Sequence, residues 1–403
     1  MAWVNDCDRQ TRVLWMNGPA GAGKTAIAHT IAEMCYKAGI LAASFFCSRS
    51  ISGKNEKTFL ITTIVSQLIV VIPGMREHVG NALHKDRSLL SRSLEVQLEA
   101  LVAKPFEMAR SDISQVDFLY PKLIILDGLD ECGDSGSHQS VLQVILAAVN
   151  QHSLPFSFLI ASRPEQKIRE FFDESTMGLL TMRLVLDDKY LPDEDIRAFL
   201  VSRFQNIKQK HPSRTNPSFS SWPSEKDIER LVARSSGQFI YASTVIKFID
   251  SHRHWPPDRL DIIFGILPCG KTTPFAEMDA LYSHILFSAS DNLDKVLEII
   301  TVMLFHSSFL DFPPLNRQPT MEFLESLLSY WHGEVLMALS DVHSIISVPS
   351  PDQPDHLRFF HASLGDFLID GSRSGEFFLD PGVAHRKITT WLLREMERPS
   401  SSI

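Results

Sequence analysis

Through the first half of the chain, short β-branched or aromatic runs alternate with longer stretches whose apolar residues recur at helical spacing. Five runs read as strands: Val13 to Met16, Ile40 to Phe46, Leu123 to Leu126, Phe156 to Ile160 and Arg183 to Leu186. Between them, Ala26 to Lys37, Lys57 to Ile72, Leu94 to Ala103, Ser140 to Asn150 and Gln166 to Phe172 read as helices, long enough to be the crossovers that parallel strands require. The pattern predicts an α/β class with a parallel sheet covered by helices. After Asp188 the strand signal fades and apolar residues take helical spacing, at Ile196, Phe199, Leu200 and Phe204, then at Ile228, Leu231 and Val232. The polar stretch His211 to Pro223 reads as a loop, and Trp255 to Pro257 and Pro268 to Pro274 punctuate the helical region. Boundaries near 188 and 272 give three expected domains, 1–188, 189–272 and 273–403. In the last, Ile345 to Val348 and Leu357 to Phe360 flank a Pro/Asp turn, Pro349 to Pro354, as a small hairpin, with a helix at Leu364 to Ile369. No internal repeat is visible.

Composition narrows the function classes. With 403 residues, 44% hydrophobic and 22% charged, the chain can bury a sizeable core. A net charge of -9 without a Lys/Arg block argues against passive binding to nucleic acid or to an anionic membrane. The five cysteines, Cys7, Cys35, Cys47, Cys132 and Cys269, form no CxxC pair or zinc-finger cluster, which suits a reducing cytosol. The beginning carries Trp3, Asn5, Asp6 and Asp8 instead of a basic end and an apolar run, so secretion is not expected and a cytoplasmic location is. Phe59 to Ile72, the most lipid-like stretch, contains Thr62, Thr63, Ser66 and Gln67 and falls short of the roughly 20 apolar residues of a spanning helix. It reads as a buried helix.

The strongest chemical signal is Gly18-Pro19-Ala20-Gly21-Ala22-Gly23-Lys24-Thr25, a G-x-x-x-x-G-K-[ST] motif between a strand ending at Met16 and a helix starting at Ala26. Its glycines permit turns in which backbone N–H groups converge on phosphate oxygens, and the helix N-terminus adds partial positive charge. Gly18 through Ala26 would thus form the phosphate cradle, Lys24 would reach the β- and γ-phosphates, and the Thr25 hydroxyl would bind Mg2+. A second literal match, Gly265 to Thr272, has bulky intervening residues, Pro268 within it and Pro274 after it, and reads as an interdomain turn.

Leu123 to Glu131 reads as a buried strand ending in clustered carboxylates. Asp127 stands where a strand-end acid can hold the Mg2+ shell, and Asp130 and Glu131 are alternative candidates to polarise an attacking water. The next strand ends Ser162-Arg163-Pro164. The Arg163 guanidinium matches a γ-phosphate in geometry; pairing with Glu165 or Asp127 is the competing reading. No Asn-Lys-x-Asp tetrapeptide occurs, which favours ATP over GTP.

With these pieces the chain resembles the NACHT-type STAND P-loop NTPases, the nucleotide-switch module of NOD-like receptors, in the forms abundant in mushroom-type fungi. The resemblance rests on Leu14 to Thr25, Ile64-Val65-Ser66-Gln67-Leu68 running to Pro73, Asp127-Gly128-Leu129-Asp130-Glu131-Cys132, Ser162-Arg163-Pro164, Gly237 to Ala242 and Phe360 to Leu368. It implies a three-layer α/β/α parallel sheet with the Arg163 strand between the phosphate-loop and Asp127 strands, followed by a helical and a winged-helix-like domain. It also implies that His361 donates to the β-phosphate of ADP and latches a closed resting state. A blander reading places His361 beside a buried helical stripe of Phe360, Leu364, Phe367 and Leu368. The Gly-x-Pro element that packs near the adenine in many relatives reads Gly237-Gln238-Phe239 here, and the expectation is that no N-terminal effector domain or C-terminal repeat sensor accompanies these domains.

The expected function is a signal-transduction switch that binds ATP or ADP with Mg2+, hydrolyses ATP slowly and oligomerises when ATP-bound, with itself or other NACHT proteins. The alternative is a non-hydrolysing, truncated interaction module or decoy that binds full-length relatives. An ordinary P-loop kinase or DNA-processing ATPase is weaker, because the sequence shows neither an acceptor pocket nor a basic surface.

Overall fold

The computed structural model describes residues 2–5, 10–48, 57–112, 122–133, 135–152, 154–174, 176–186, 190–210, 219, 221–251, 254–266, 275–306, 319–349 and 357–397. The chain forms two compact units, Met1–Asp187 and Asp188–Ile403.

In the first unit, β1 (Val13–Asn17), β2 (Leu41–Phe46), β3 (Leu123–Asp127), β4 (Ser157–Ser162) and β5 (Thr181–Val185) form one parallel sheet in the order β2-β3-β4-β1-β5. The Arg163 strand, β4, therefore lies between the strands of the glycine-rich loop and of Asp127. Alternate side chains go to opposite faces, and both faces are buried. Trp15, Leu126, Phe158 and Ile160 enter a core shared with the helix α1 (Thr58–Val71) and the helix Ser135–Asn150. Leu14, Met16, Ile125 and Leu159 face Ala28, Ala32 and Cys35 of α2 (Lys24–Lys37). The result is three layers, helix, sheet, helix, in a P-loop-like α/β fold.

Because the strands run parallel, their C-terminal ends share one edge. Asn17 is opposite Ser162, and Asp127 is opposite Ala161, so the glycine-rich loop, the acid and Arg163 leave adjacent strands at one level. Trp15 Nε1 donates to Ser162 Oγ at 2.9 Å, tying β1 to β4, and the Trp15 ring stacks at 4.2 Å on Phe172 of the helix Gln166–Glu174.

The edge strand β2 is finished by a side chain. Gln67 of α1 accepts from the Ser44 N–H through Oε1 and donates through Nε2 to the Ser44 carbonyl, both at 2.9 Å. Gln67 thus supplies the hydrogen bonds that a missing neighbour strand would have made.

Helices Met75–Lys85 and Lys104–Asp112 lie outside the sequence expectation. The first is mostly polar, burying only Met75 and Val79. The second follows a helical run from Leu94 whose residues Leu98–Ala103 widen to π spacing just before Pro105. The wider turn moves apart the carbonyl that the proline ring would strike and the donor it lacks.

The second unit packs helices around one core running from Ile196 to Ile388. The expected hairpin is present as two antiparallel strands, Ile346–Ser347 and Arg358–Phe359, followed by the helix Ser363–Leu368. Leu364, Phe367 and Leu368 are buried, but Phe360 is 41% exposed and lies under the Lys247 ammonium, so it does not belong to the stripe. Gly265 ends the helix Pro256–Gly265 and Ile266 follows it; Leu267 to Thr272 of the second glycine-rich match lie outside the described residues. So do most of the loop 211–223, the turn 350–356, Cys7 and Cys269. No helix among the described residues is long and apolar enough to cross a membrane.

Candidate functional site

The loop between Asn17 and Lys24 turns on two glycines with left-handed backbones, Gly21 at φ 78° and Gly23 at φ 85°. Gly18 has a packing reason: a Cβ there would come within 3.1 Å of the Leu186 carbonyl oxygen. Gly23 is the N-cap of α2 and brings no side-chain cap, so the N–H groups of the first turn are left to an anion. Lys24 Nζ folds back and donates to the carbonyl oxygens of Gly18 and Pro19, each at 2.8 Å. Burial pulls its pKa down to about 8, against the attraction of Asp130, Asp127 and Glu131.

Asp127 ends β3 and is buried. It accepts a hydrogen bond from the Thr25 side chain, while its Oδ1 is buried with no hydrogen-bond partner. Burial pushes its carboxyl up to about 6, with Thr25 and Lys24 opposing. A buried carboxylate oxygen lacking a partner beside a hydroxyl is a hard-oxygen donor set, and it fits a Mg2+ ion that takes one or two protein ligands and completes its shell with phosphate and water. Among the described residues no three His, Cys, Asp or Glu side chains cluster to hold a metal by themselves.

Gly128, at φ +72°, follows at once; a Cβ there would lie 3.0 Å from the Cys47 carbonyl oxygen. The turn Leu129–Glu131 then sets the two further acids apart. Asp130 is 2% exposed, its Oδ1 accepting from the Arg163 backbone N–H at 2.9 Å and its Oδ2 lying 3.3 Å from Arg163 Nε. Asp130 is thus a carboxylate partner of Arg163 that the sequence reading did not name. Glu131 is only partly buried, leaving it the more accessible of the two candidate bases. Behind this turn the buried thiols of Cys47 and Cys132 hydrogen-bond to each other, which raises the Cys47 thiol's pKa.

Sequence reasoning singled out Lys24, Thr25, Asp127, Asp130, Glu131 and Arg163, and the fold brings them to one edge of one sheet. It missed Trp15 and Ser162, whose hydrogen bond fixes the spacing of the strands that carry the loop and Arg163. The signal available was a side-chain donor in β1 and a hydroxyl at the end of β4, two positions apart in the register of these neighbouring strands.

His361 belongs to the second unit. Its Nδ1 accepts from the Ser363 N–H at 3.0 Å, and Ser363 Oγ lies 2.9 Å from both that nitrogen and the buried Tyr282 hydroxyl. With Nδ1 accepting, the proton of a neutral ring sits on Nε2.

Residues 1–163 match the family model described as nephrocystin 3, N-terminal. The matched segment takes in the glycine-rich loop, β3 with its acids, and Arg163. No curated protein matches. Among solved structures, one titled "Structure of Drosophila ORC bound to DNA" aligns over 92% of this chain and 91% of its own, at 13% identity and a TM-score of 0.39. A likeness at that score defines no shared fold, and the P-loop-like architecture stands on the strand order and loop geometry of the chain itself.

Proposed function

We propose that the chain is a nucleotide-operated switch of the NACHT type that binds ADP or ATP with Mg2+ at the edge of the first unit's sheet and hydrolyses ATP slowly. What supports this is the convergence on adjacent strand ends of a cradle with uncapped N–H groups, Lys24, the Thr25–Asp127 pair and Arg163. The Gly18–Ala26 backbone would receive the α- and β-phosphates, and Lys24 would exchange its two loop carbonyls for β- and γ-oxygens. A magnesium ion on Thr25 and Asp127 would neutralise charge on the β- and γ-phosphates. Glu131 orients or deprotonates the attacking water, while Asp130 positions Arg163.

In the resting state Arg163 holds Asp130, and a γ-phosphate offers a second anionic partner. Because only a triphosphate makes that offer, it shifts the equilibrium that a diphosphate leaves alone. His361 carries the latch role that the NACHT resemblance gives it, through Nε2. Assembly of ATP-bound copies belongs to the same proposal.

Titration calorimetry of the purified chain with ATP–Mg2+ and with ADP tests the reading. Wild type is expected to bind both, and Lys24→Ala to lose at least about tenfold in affinity, about 1.4 kcal/mol. Equal binding by Lys24→Ala, or none by wild type, would end it. Glu131→Gln should keep binding and abolish turnover, and His361→Ala should release ADP faster; an unchanged release rate removes the latch.

A further inference from the structure

The second unit holds a cleft of ≈590 Å³, within the roughly 300–1,000 Å³ of small-molecule sites. Arg259, from the helix Pro256–Gly265, lines it while only 8% exposed. Its guanidinium carbon lies 3.9 Å from the Phe248 ring centroid, its Nε has no hydrogen-bond partner, and among the described residues it forms no ion pair. A buried cation without a paired anion is costly, and a ligand carboxylate would relieve that cost.

The same cleft carries the opposite chemistry. His343 lines it with Nδ1 on the Ser340 carbonyl at 3.0 Å, so Nδ1 is the donor and the buried Nε2, which has no partner, is an acceptor. Asp341 lines it too, as a carboxylate whose field reaches Arg259. Trp331, Leu336 and Met337 complete the lining with apolar surface that is about half exposed.

We propose that this cleft binds a free α-amino acid with an apolar side chain: its carboxylate on Arg259, its ammonium toward Asp341 and His343 Nε2, and its side chain on Trp331, Leu336 and Met337. Among the described residues Arg259 is the lining's one Lys or Arg side chain, faced by the carboxylates of Asp341 and Asp250 and the imidazoles of His343 and His254, a set that offers a zwitterion a cation for its carboxylate and acceptors for its ammonium. A phosphate dianion would meet too little positive charge and be repelled by Asp341. The site lies within the second unit and stands independently of the nucleotide reading.

The test is ligand-observed NMR and calorimetry on the full chain with L-phenylalanine and L-leucine, beside N-acetyl-L-phenylalanine, which lacks the ammonium, and L-phenylalaninamide, which lacks the carboxylate. At least one zwitterion should bind saturably, and both capped probes should bind at least about tenfold more weakly. Arg259→Gln should weaken binding by the same factor, and Lys24→Ala should leave it unchanged. If Arg259→Gln does not fold, Leu336→Asp, on the exposed rim, decides and should also weaken binding. No saturable binding of either zwitterion, equal binding of a capped probe, or full affinity in a folded Arg259→Gln or Leu336→Asp variant would overturn the proposal.

Discussion

Gly128 shows how tightly single residues are held beside the candidate site. At φ +72°, with the Cys47 carbonyl 3.0 Å from where a Cβ would go, it cannot become alanine without strain and displacement. Gly128→Ala should lower the urea midpoint by the equivalent of about 1–3 kcal/mol. Lys24 and Asp127 together set a pH window. Lys24 gives up its proton above about 8, and a polyphosphate needs the charged form, so binding must then take up a proton and weakens by up to about tenfold per pH unit. Asp127 is protonated below about 6, and a cation must expel that proton, so affinity also falls toward acid. Calorimetry should therefore find ATP–Mg2+ affinity highest between about 6 and 8, with proton uptake on the alkaline side. Flat affinity from pH 5 to 9 would contradict the assignment of both groups. Lys24, Thr25 and Asp127 were legible because each belongs to a short pattern whose spacing is the chemistry. The partner of Arg163 was not. Asp130 is 33 residues away, and only the adjacency of β3 and β4 brings it to Arg163.

At the scale of elements, β1 to β4 were readable from their apolar runs because the middle of a sheet buried on both faces leaves little room for anything else, whereas the edge strand β5, with no buried residue, was placed two residues late at its start. Met75–Lys85 was not, since its few buried positions give almost no periodic signal. Nor was the helix through Pro105, because a proline normally reads as a stop and only the π-spaced turn before it permits continuation. Gln67 is the element-scale residue whose role sequence could not assign. In sequence it is one of four polar residues that rule out a spanning helix, and in the fold it is the clamp between α1 and β2. Gln67→Leu would leave the Ser44 N–H and carbonyl unpaired and should cost about 1–3 kcal/mol in chemical denaturation, far more than an exposed glutamine would. A loss below about 0.5 kcal/mol would show that water replaces the amide.

For the whole molecule, the two units have separate cores: every residue of the sheet's two cores precedes Asp187, and every residue of the third follows Asp188. A chain of residues 1–187 should accordingly fold and bind ATP–Mg2+ within about tenfold of the full protein, as calorimetry would report. If it folds yet does not bind, the second unit supplies something the phosphates require. The clamp on Ser44 reaches further than stability. It fills the middle rung of an outer strand, and an extended segment from another chain can lengthen a sheet only where such rungs are vacant. Releasing that rung in Gln67→Leu should yield a protein that is concentration-sensitive as well as weaker, polymerising through its flank while its nucleotide edge remains intact.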